Sequence, residues 1–338
     1  MSRALRPAGL SPLLALLAVA LGSCAPLSIT FRLGPQHAPL RPTEVMRSER
    51  GDGPAKVALI DVRGLIADAP RSGFPVGPAG NPVDEFLARL HAAEKDDKVR
   101  AVVVRINSPG GTVTASDTLH QELRAFRERA GKPVVASLGD VAASGGYYLA
   151  LAADEIVAQP TSITGSIGVI IPTVNVAEGL RRIGVVARSV KSGPNKDLGN
   201  PLEPMREHQY DVLQALVDEF YARFRDIVRA RRGPRGLDPA RLDDLTDGRV
   251  VTGAEAVRSG LADREGDLRE AFELALELAG ARGGRLIKYT PRHDPQPRTA
   301  YGHSPDGLPA AQLNLVNVEL EAGLAGAAGT NAYYLWLP

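Results

Sequence analysis

The chain of 338 residues contains a single cysteine, Cys24. One thiol cannot form an intramolecular disulfide, and it leaves no cysteine cluster to hold a metal. Aromatic residues make up only 5% of the sequence and the formal net charge is +1, so the chain lacks the basic footprint of a nucleic-acid binder. Lysine is scarce: of 40 basic residues only Lys56, Lys95, Lys98, Lys132, Lys191, Lys196 and Lys288 are lysines. The histidines offer no obvious base. His37, His293 and His303 fall in expected loops or tethers, and His91, His120 and His208 lie on polar helical stretches where solvation accounts for them.

What is present begins with an export pattern. Arg3 and Arg6 precede the apolar run 10–22, as in a secretory signal. The run 21–24 (LGSC) looks like a bacterial lipobox, in which Cys24 would carry the lipid and become the mature N-terminus. An uncleaved anchor is the alternative, because no charge separates Arg6 from Arg32 and about 20 apolar residues span a bilayer. Residues 1–23 are therefore expected to be a signal peptide and 24–55, rich in Pro, Arg and Gly, a tether.

From Lys56 the texture changes. The runs 57–62, 101–106, 133–138 and 185–190 are short and rich in β-branched residues, the pattern of buried strands. Helical patterns at 82–94, 115–129 and 147–153 fall between them. Alternating strand and helix predicts an α/β domain with a mainly parallel sheet, over residues 56–290. Residues 205–231 form an amphipathic helix with Leu213, Val217, Phe220, Phe224, Ile227 and Val228 inward. Thr252 and Glu255 have the spacing of a capping box, and 260–263 ends that helix and returns to the sheet. A Pro/Arg-rich tail follows over 291–338, with 291–311 expected to be disordered. Its apolar end, 333–338, either docks on the core or lies in a substrate groove or subunit interface.

Ser144 lies in the run 139–146 (GDVAASGG), between an expected strand and an expected helix. Such a turn places a hydroxyl beside free backbone N–H groups, and Gly145 and Gly146 let a substrate backbone approach. The run 107–111 (NSPGG) also follows a strand, and its glycines can turn N–H groups inward as an oxyanion hole requires. It lacks the spacing and lysine of a P-loop, and it is not a dinucleotide fingerprint. Ala142 stands where the Gly-x-Ser-x-Gly elbow has its first glycine, which disfavours an α/β-hydrolase. A serine nucleophile needs a base, and lysine remains. Lys196 lies on a loop leaving the run 185–190, with Lys191 as competitor. A lysine base must be neutral, so an ammonium pKa of about 10.4 has to fall toward about 7–8. Asp197 would oppose this wherever it touched the amine.

Five runs occur in order: 105–115 (RINSPGGTVTA), 139–148 (GDVAASGGYY), 164–169 (TGSIGV), 191–197 (KSGPNKD) and 247–253 (DGRVVTG). Together they resemble the signal peptide peptidase A family, Ser-Lys serine peptidases related to Clp protease and the crotonases, in its short single-unit form. The resemblance implies a Clp/crotonase-like fold with Ser144 as nucleophile. Lys196, three residues after Gly193, would be the base in preference to Lys191. Ser166 would orient that lysine, and the N–H groups of Gly111 and Gly145 would form the oxyanion hole. No metal or organic cofactor is implied. The implied substrates are signal-peptide remnants or other unfolded apolar segments. The implied assembly is a ring in which one protomer supplies the serine and its neighbour the lysine. The expected setting is membrane-anchored, with the catalytic domain on the periplasmic side, as a lipoprotein. Family members usually carry an uncleaved transmembrane anchor, and the lipobox-like Cys24 departs from that. Two other classes share the fold: a catalytically silent membrane-associated scaffold and a crotonase-like acyl-CoA enzyme.

Overall fold

The valine-rich runs form the middle of a nine-stranded sheet in the computed structural model, which describes residues 39–69, 81–291, 299–300 and 332–336. Cys24 and the signal sequence lie outside the described residues. The strands are β1 (Leu40–Arg47), β2 (Ala55–Arg63), β3 (Val99–Ser108), β4 (Gly110–Thr112), β5 (Val134–Ala143), β6 (Glu155–Ala158), β7 (Ile163–Gly165), β8 (Val250–Thr252), β9 (Arg264–Glu265), β10 (Gly284–Pro291) and β11 (Tyr333–Leu335). The helices are α1 (Pro82–Lys95), α2 (Val113–Ala130), α3 (Gly145–Ala150), α4 (Ala177–Arg182), α5 (Glu207–Arg232), α6 (Leu242–Leu245), α7 (Gly253–Arg258) and α8 (Leu268–Leu278). The sheet runs β1-β10-β2-β3-β5-β6-β9 and is parallel except where β1 joins β10. Off that path, β7 pairs parallel with the end of β5 and antiparallel with β8. β4 and β11 form a separate antiparallel pair.

Both faces of the central strands are apolar because both are covered. Val102, Val104 and Ile106 share one core cluster with Phe86 and Leu90 of α1 and with Leu119, Leu123 and Phe126 of α2. Ala101, Val103 and Val135 face the other way and pack with Phe272 and Leu276 of α8. Helix ends follow local chemistry. The Asn81 side chain accepts from the N–H groups of Val83 and Asp84 to start α1, and Gly131, at φ 59°, ends α2 in the left-handed conformation. The long α5 contributes Phe224 and Val228 to the main core.

Several expectations are corrected. Residues 40–47, expected within a tether, form β1; an edge strand tolerates Pro42, and Val45 and Met46 pack on the second core cluster. The run 185–190 is no strand. Val186 is 68% exposed and Val190 fully so, and no strand lies against them among the described residues. β-branched residues favour strands through packing with neighbours, and no strand among the described residues supplies them here. His120 is buried rather than solvated, because it continues the inward row of Ser116, Leu119 and Leu123 on α2. The capping box is half formed: Thr252 Oγ1 accepts from the Glu255 N–H, while the Glu255 carboxylate turns to Arg241 and Arg258. Of the tail, 292–298, 301–331 and 337–338 lie outside the described residues, and Tyr333–Leu335 pair with β4.

Candidate active site

The position of Ser144 follows from a bulge in β5. Ile106 pairs with Leu138 but Ser108 with Ala142, so β5 spends two more residues than β3 over the same span. Asn107 fixes the excess: its Oδ1 accepts from the Val141 N–H at 3.1 Å, and its Nδ2 donates to Asp140 at 3.2 Å. The displaced end of β5 is taken up by β7, with Ala143 opposite Gly165 and Thr164 Oγ1 donating to the Ala142 carbonyl at 2.7 Å. The Ser144 N–H then donates to the Gly165 carbonyl at 2.8 Å, and the chain turns into α3.

At that turn Ser144 has φ 51° and ψ −114°, a conformation that non-glycine residues hold only under constraint. The residue is 1% exposed and its Oγ has no hydrogen-bond partner among the described residues. A buried hydroxyl left unpaired calls for a reason beyond structure. Ser166 lies beside it, at φ 50° and buried, its N–H donating to the Arg249 carbonyl at 2.7 Å. Among the described residues these two serines are the only non-glycine positions with positive φ.

The β4 loop brings the glycines in. Ser108 Oγ donates to the Gly64 carbonyl at 2.6 Å and accepts from the Gly110 N–H at 3.0 Å, which commits that amide. Ile66 bonds the Gly110 carbonyl and the Thr112 N–H on the same side. A Cβ at Gly111 would collide with the Ile66 carbonyl, and one at Gly145 with Ser116 Oγ. The Gly145 Cβ would also stand 3.1 Å from the Gly111 nitrogen. The structure thus brings Gly111 and Gly145 together next to Ser144, packed too tightly for any side chain.

Lys196 is not part of this cluster. It is exposed, and no lysine nitrogen reaches Ser144 Oγ within the described residues. Asp197 pairs with Lys191 instead and also accepts from Gln209 Nε2 at 3.1 Å. The bond from the Lys191 ammonium holds the Asp197 carboxyl below the usual carboxylate range. Among the described residues no group of His, Cys, Asp and Glu could hold a metal ion.

Sequence reasoning left several neighbours unassigned. Asn107 opens the run 107–111, and a side-chain amide ahead of Ser-Pro-Gly-Gly is a natural clamp for a strand end. His120 meets Tyr148 edge-on at 5.1 Å, and desolvation lowers its pKa to about 4. Its inward setting was available from helical periodicity. The rings of Tyr148 and Phe224 meet edge-on at 4.9 Å, an arrangement that only the fold reveals.

The profile of Peptidase family S49 matches residues 126–282, and that of Clp protease residues 80–164. The chain is 37% identical over 225 residues to the putative protease slr0021 of Synechocystis sp., covering 67% of this chain and 75% of that one. It is 33% identical over 241 residues to the putative signal peptide peptidase SppA of Enterococcus faecium, covering 71% and 69% respectively. With Protease 4 of Salmonella typhi the identity is 35% over 275 residues, covering 81% of this chain but only 43% of that longer protein.

Proposed function

The chain belongs to peptidase family S49, and from that premise we propose that it is a membrane-associated serine endopeptidase of the signal peptide peptidase type, acting through Ser144 and Lys196. One observation carries the reading: an unpartnered, buried hydroxyl on a constrained turn, with the Gly111 and Gly145 backbones beside it. Ser144 Oγ attacks the scissile carbonyl while the neutral Lys196 amine takes its proton. The N–H groups of Gly111 and Gly145 receive the negative charge that develops on the carbonyl oxygen, each donor contributing on the order of 3 kcal/mol. Lys196 then passes the proton to the leaving amine. Water, deprotonated by the same amine, releases the acyl group and restores the hydroxyl. Ser166 orients the lysine.

Lys196 reaches this site from a neighbouring copy in a closed ring. Its exposure supports this, as do the uncovered aliphatic side chains of Ile183, Val186 and Val190 on the segment that leads to it. Contiguous exposed apolar surface marks an interface, and a ring closes a heterologous contact of this kind. Burial at such a seam would also favour the uncharged amine. Membrane attachment rests on the apolar run 10–22 and on Cys24, with the peptidase domain on the extracytoplasmic side. Among the described residues no helix is long and apolar enough to cross a membrane. The substrates are signal-peptide remnants and other unfolded apolar segments.

The test is complementation. The wild type cleaves an apolar fluorogenic peptide, and Ser144→Ala and Lys196→Ala each lose at least about 10⁴-fold in kcat. Mixed and reassembled, the two silent chains regain up to about a quarter of wild-type activity, since random rings pair one intact serine with one intact lysine at that frequency. A silent Lys191→Ala beside an active Lys196→Ala would show that the wrong amine is named. A wild type that cleaves nothing and takes no fluorophosphonate label at Ser144 would return the chain to the scaffold class.

A further inference from the structure

Lys196 has an acid for a covalent neighbour. A carboxylate close to an amine favours the charged form, by about 1–3 pH units when the two touch. A loop that must present an uncharged amine is ill served by Asp197 next in line. Yet Lys196 makes no ion pair or side-chain hydrogen bond among the described residues, and Asp197 turns to two other groups.

The turns of the loop set this up. The Lys196 N–H donates to the Gly193 carbonyl at 3.3 Å, the Leu198 N–H to the Asn195 carbonyl at 3.2 Å and the Asn200 N–H to the Asp197 carbonyl at 3.0 Å. This winding brings Asp197 back to Lys191, whose ammonium pairs with one carboxylate oxygen. The other oxygen accepts from Gln209 Nε2 at 3.1 Å. Gln209 lies on the first turn of α5 and is 2% exposed. Its Oε1 accepts from the Arg206 N–H at 3.1 Å, and its Nε2 also donates to the Pro194 carbonyl at 3.2 Å. Arg206 Nη2 joins it on that carbonyl at 2.8 Å. The loop is thus pinned just before Lys196, at Pro194, and just after it, at Asp197, with the lysine exposed between the pins.

The charged groups around Asp197 have distinct places. Lys191 pairs with it, Arg206 turns to Pro194, and Glu207 and His208 on the same turn of α5 are exposed. The Asp197 side chain is only 11% exposed, and its bond with Lys191 keeps it ionised across the working range. A neutral acceptor would pin the loop as well. What distinguishes this peg is a full negative charge beside Lys196, matched by a different cation in a chain with few lysines.

We propose that Lys191 and Gln209 are positioning residues for Lys196: together they hold the Asp197 carboxylate off the adjacent amine, so that the loop offers a base without a counter-charge. The inference rests on the reading of Lys196 as the base given above. With either partner removed, the carboxylate swings to Lys196, which then keeps its proton to higher pH.

The experiment uses the full-length chain and an apolar fluorogenic peptide, with kcat/KM followed from about pH 6 to about pH 10. The fall of activity on the acid side marks where the free base takes up its proton. Lys191→Met and Gln209→Met, which remove the polar group and keep an aliphatic stem, should each move that fall upward by about one unit. The loss is then about ten-fold near pH 7 and is regained at the alkaline end. Lys191→Arg, which keeps the cation, should return the wild-type profile. Adding Asp197→Asn to either methionine variant should do the same, because the amide has no charge to transfer. A merely destabilised variant would lose activity at every pH, and the second substitution would not rescue it. Such a uniform loss, or a profile that stays in place, overturns the role of the residue concerned. Lys196→Ala in the same series separates the two claims. If it is active, the base assignment fails; if it is silent while the profiles of both methionine variants stay in place, this inference alone fails.

Discussion

Ser144 is 1% exposed and every residue of α3 beside it is buried, whereas the chain between β7 and α5 leaves Ile183 73% exposed and Val190 entirely in solvent. Around the serine, successive turns are tied down: Asn107 to the β5 bulge, Ser108 to the Gly110 amide, Gly165 to the Ser144 N–H. Around Lys196 the backbone is held by short turns and by the pairing of Asp197 with Lys191 and Gln209, with six-residue α4 its main regular element. The difference teaches how the work is divided. The serine turn is buried and tied down within one chain, and the segment proposed to deliver the base leaves its aliphatic side chains uncovered.

The contrast can be broken at three points. The largest effect is expected from Gly111→Ala, whose Cβ must displace the Ile66 carbonyl; kcat should fall by about 10²–10³-fold with a smaller change in KM. Steady-state kinetics decide it, and an unaltered kcat would remove Gly111 from the site. Next, Val186→Asp combined with Val190→Asp should leave the melting temperature of the folded chain unchanged while abolishing the assembled species, with kcat falling at least about ten-fold at assay concentrations. Sedimentation velocity checks this, and intact assemblies would mean the apolar segment faces something other than a second copy.

The smallest effect concerns the rigid half alone. His120 packs against Tyr148 with Asp117, Arg124, Arg223 and Arg231 acting on it, and desolvation keeps its folded pKa near about 4 against an ordinary 6.5. Above pH 6.5 it is neutral in both states. Between that value and about 4 only the unfolded chain binds the proton, so stability falls as the pH falls, by up to about 3 kcal/mol across the window. Denaturant titrations from pH 7 to pH 4 should show that slope in the wild type and a shallower one in His120→Leu; equal slopes would assign the acid sensitivity elsewhere.

The sheet was legible because its strands are apolar on both faces and its helices amphipathic, signals that local sequence carries in full. The Ser144 turn and its glycines were legible for a different reason: close backbone approach permits nothing else, so the residues advertise the geometry. What escaped is non-local. β1 looked like a tether because its partner, β10, lies more than two hundred residues away. The run 185–190 has the composition of a strand, and composition does not reveal that no strand lies against it among the described residues. The loop position alone left Lys191 beside Lys196, the motif spacing from Gly193 preferred Lys196, and the fold adds one distinction: Asp197 binds Lys191.

The left-handed backbone at Ser144 and Ser166 has an evolutionary consequence. At φ near 50° each of these serines carries a strain on the order of 1–3 kcal/mol that glycine would not incur. Two adjoining positions therefore stand under steady mutational pressure toward glycine, opposed only by whatever the hydroxyls accomplish. A descendant of this chain that kept its architecture without need of these hydroxyls should drift toward glycine at these two codons first.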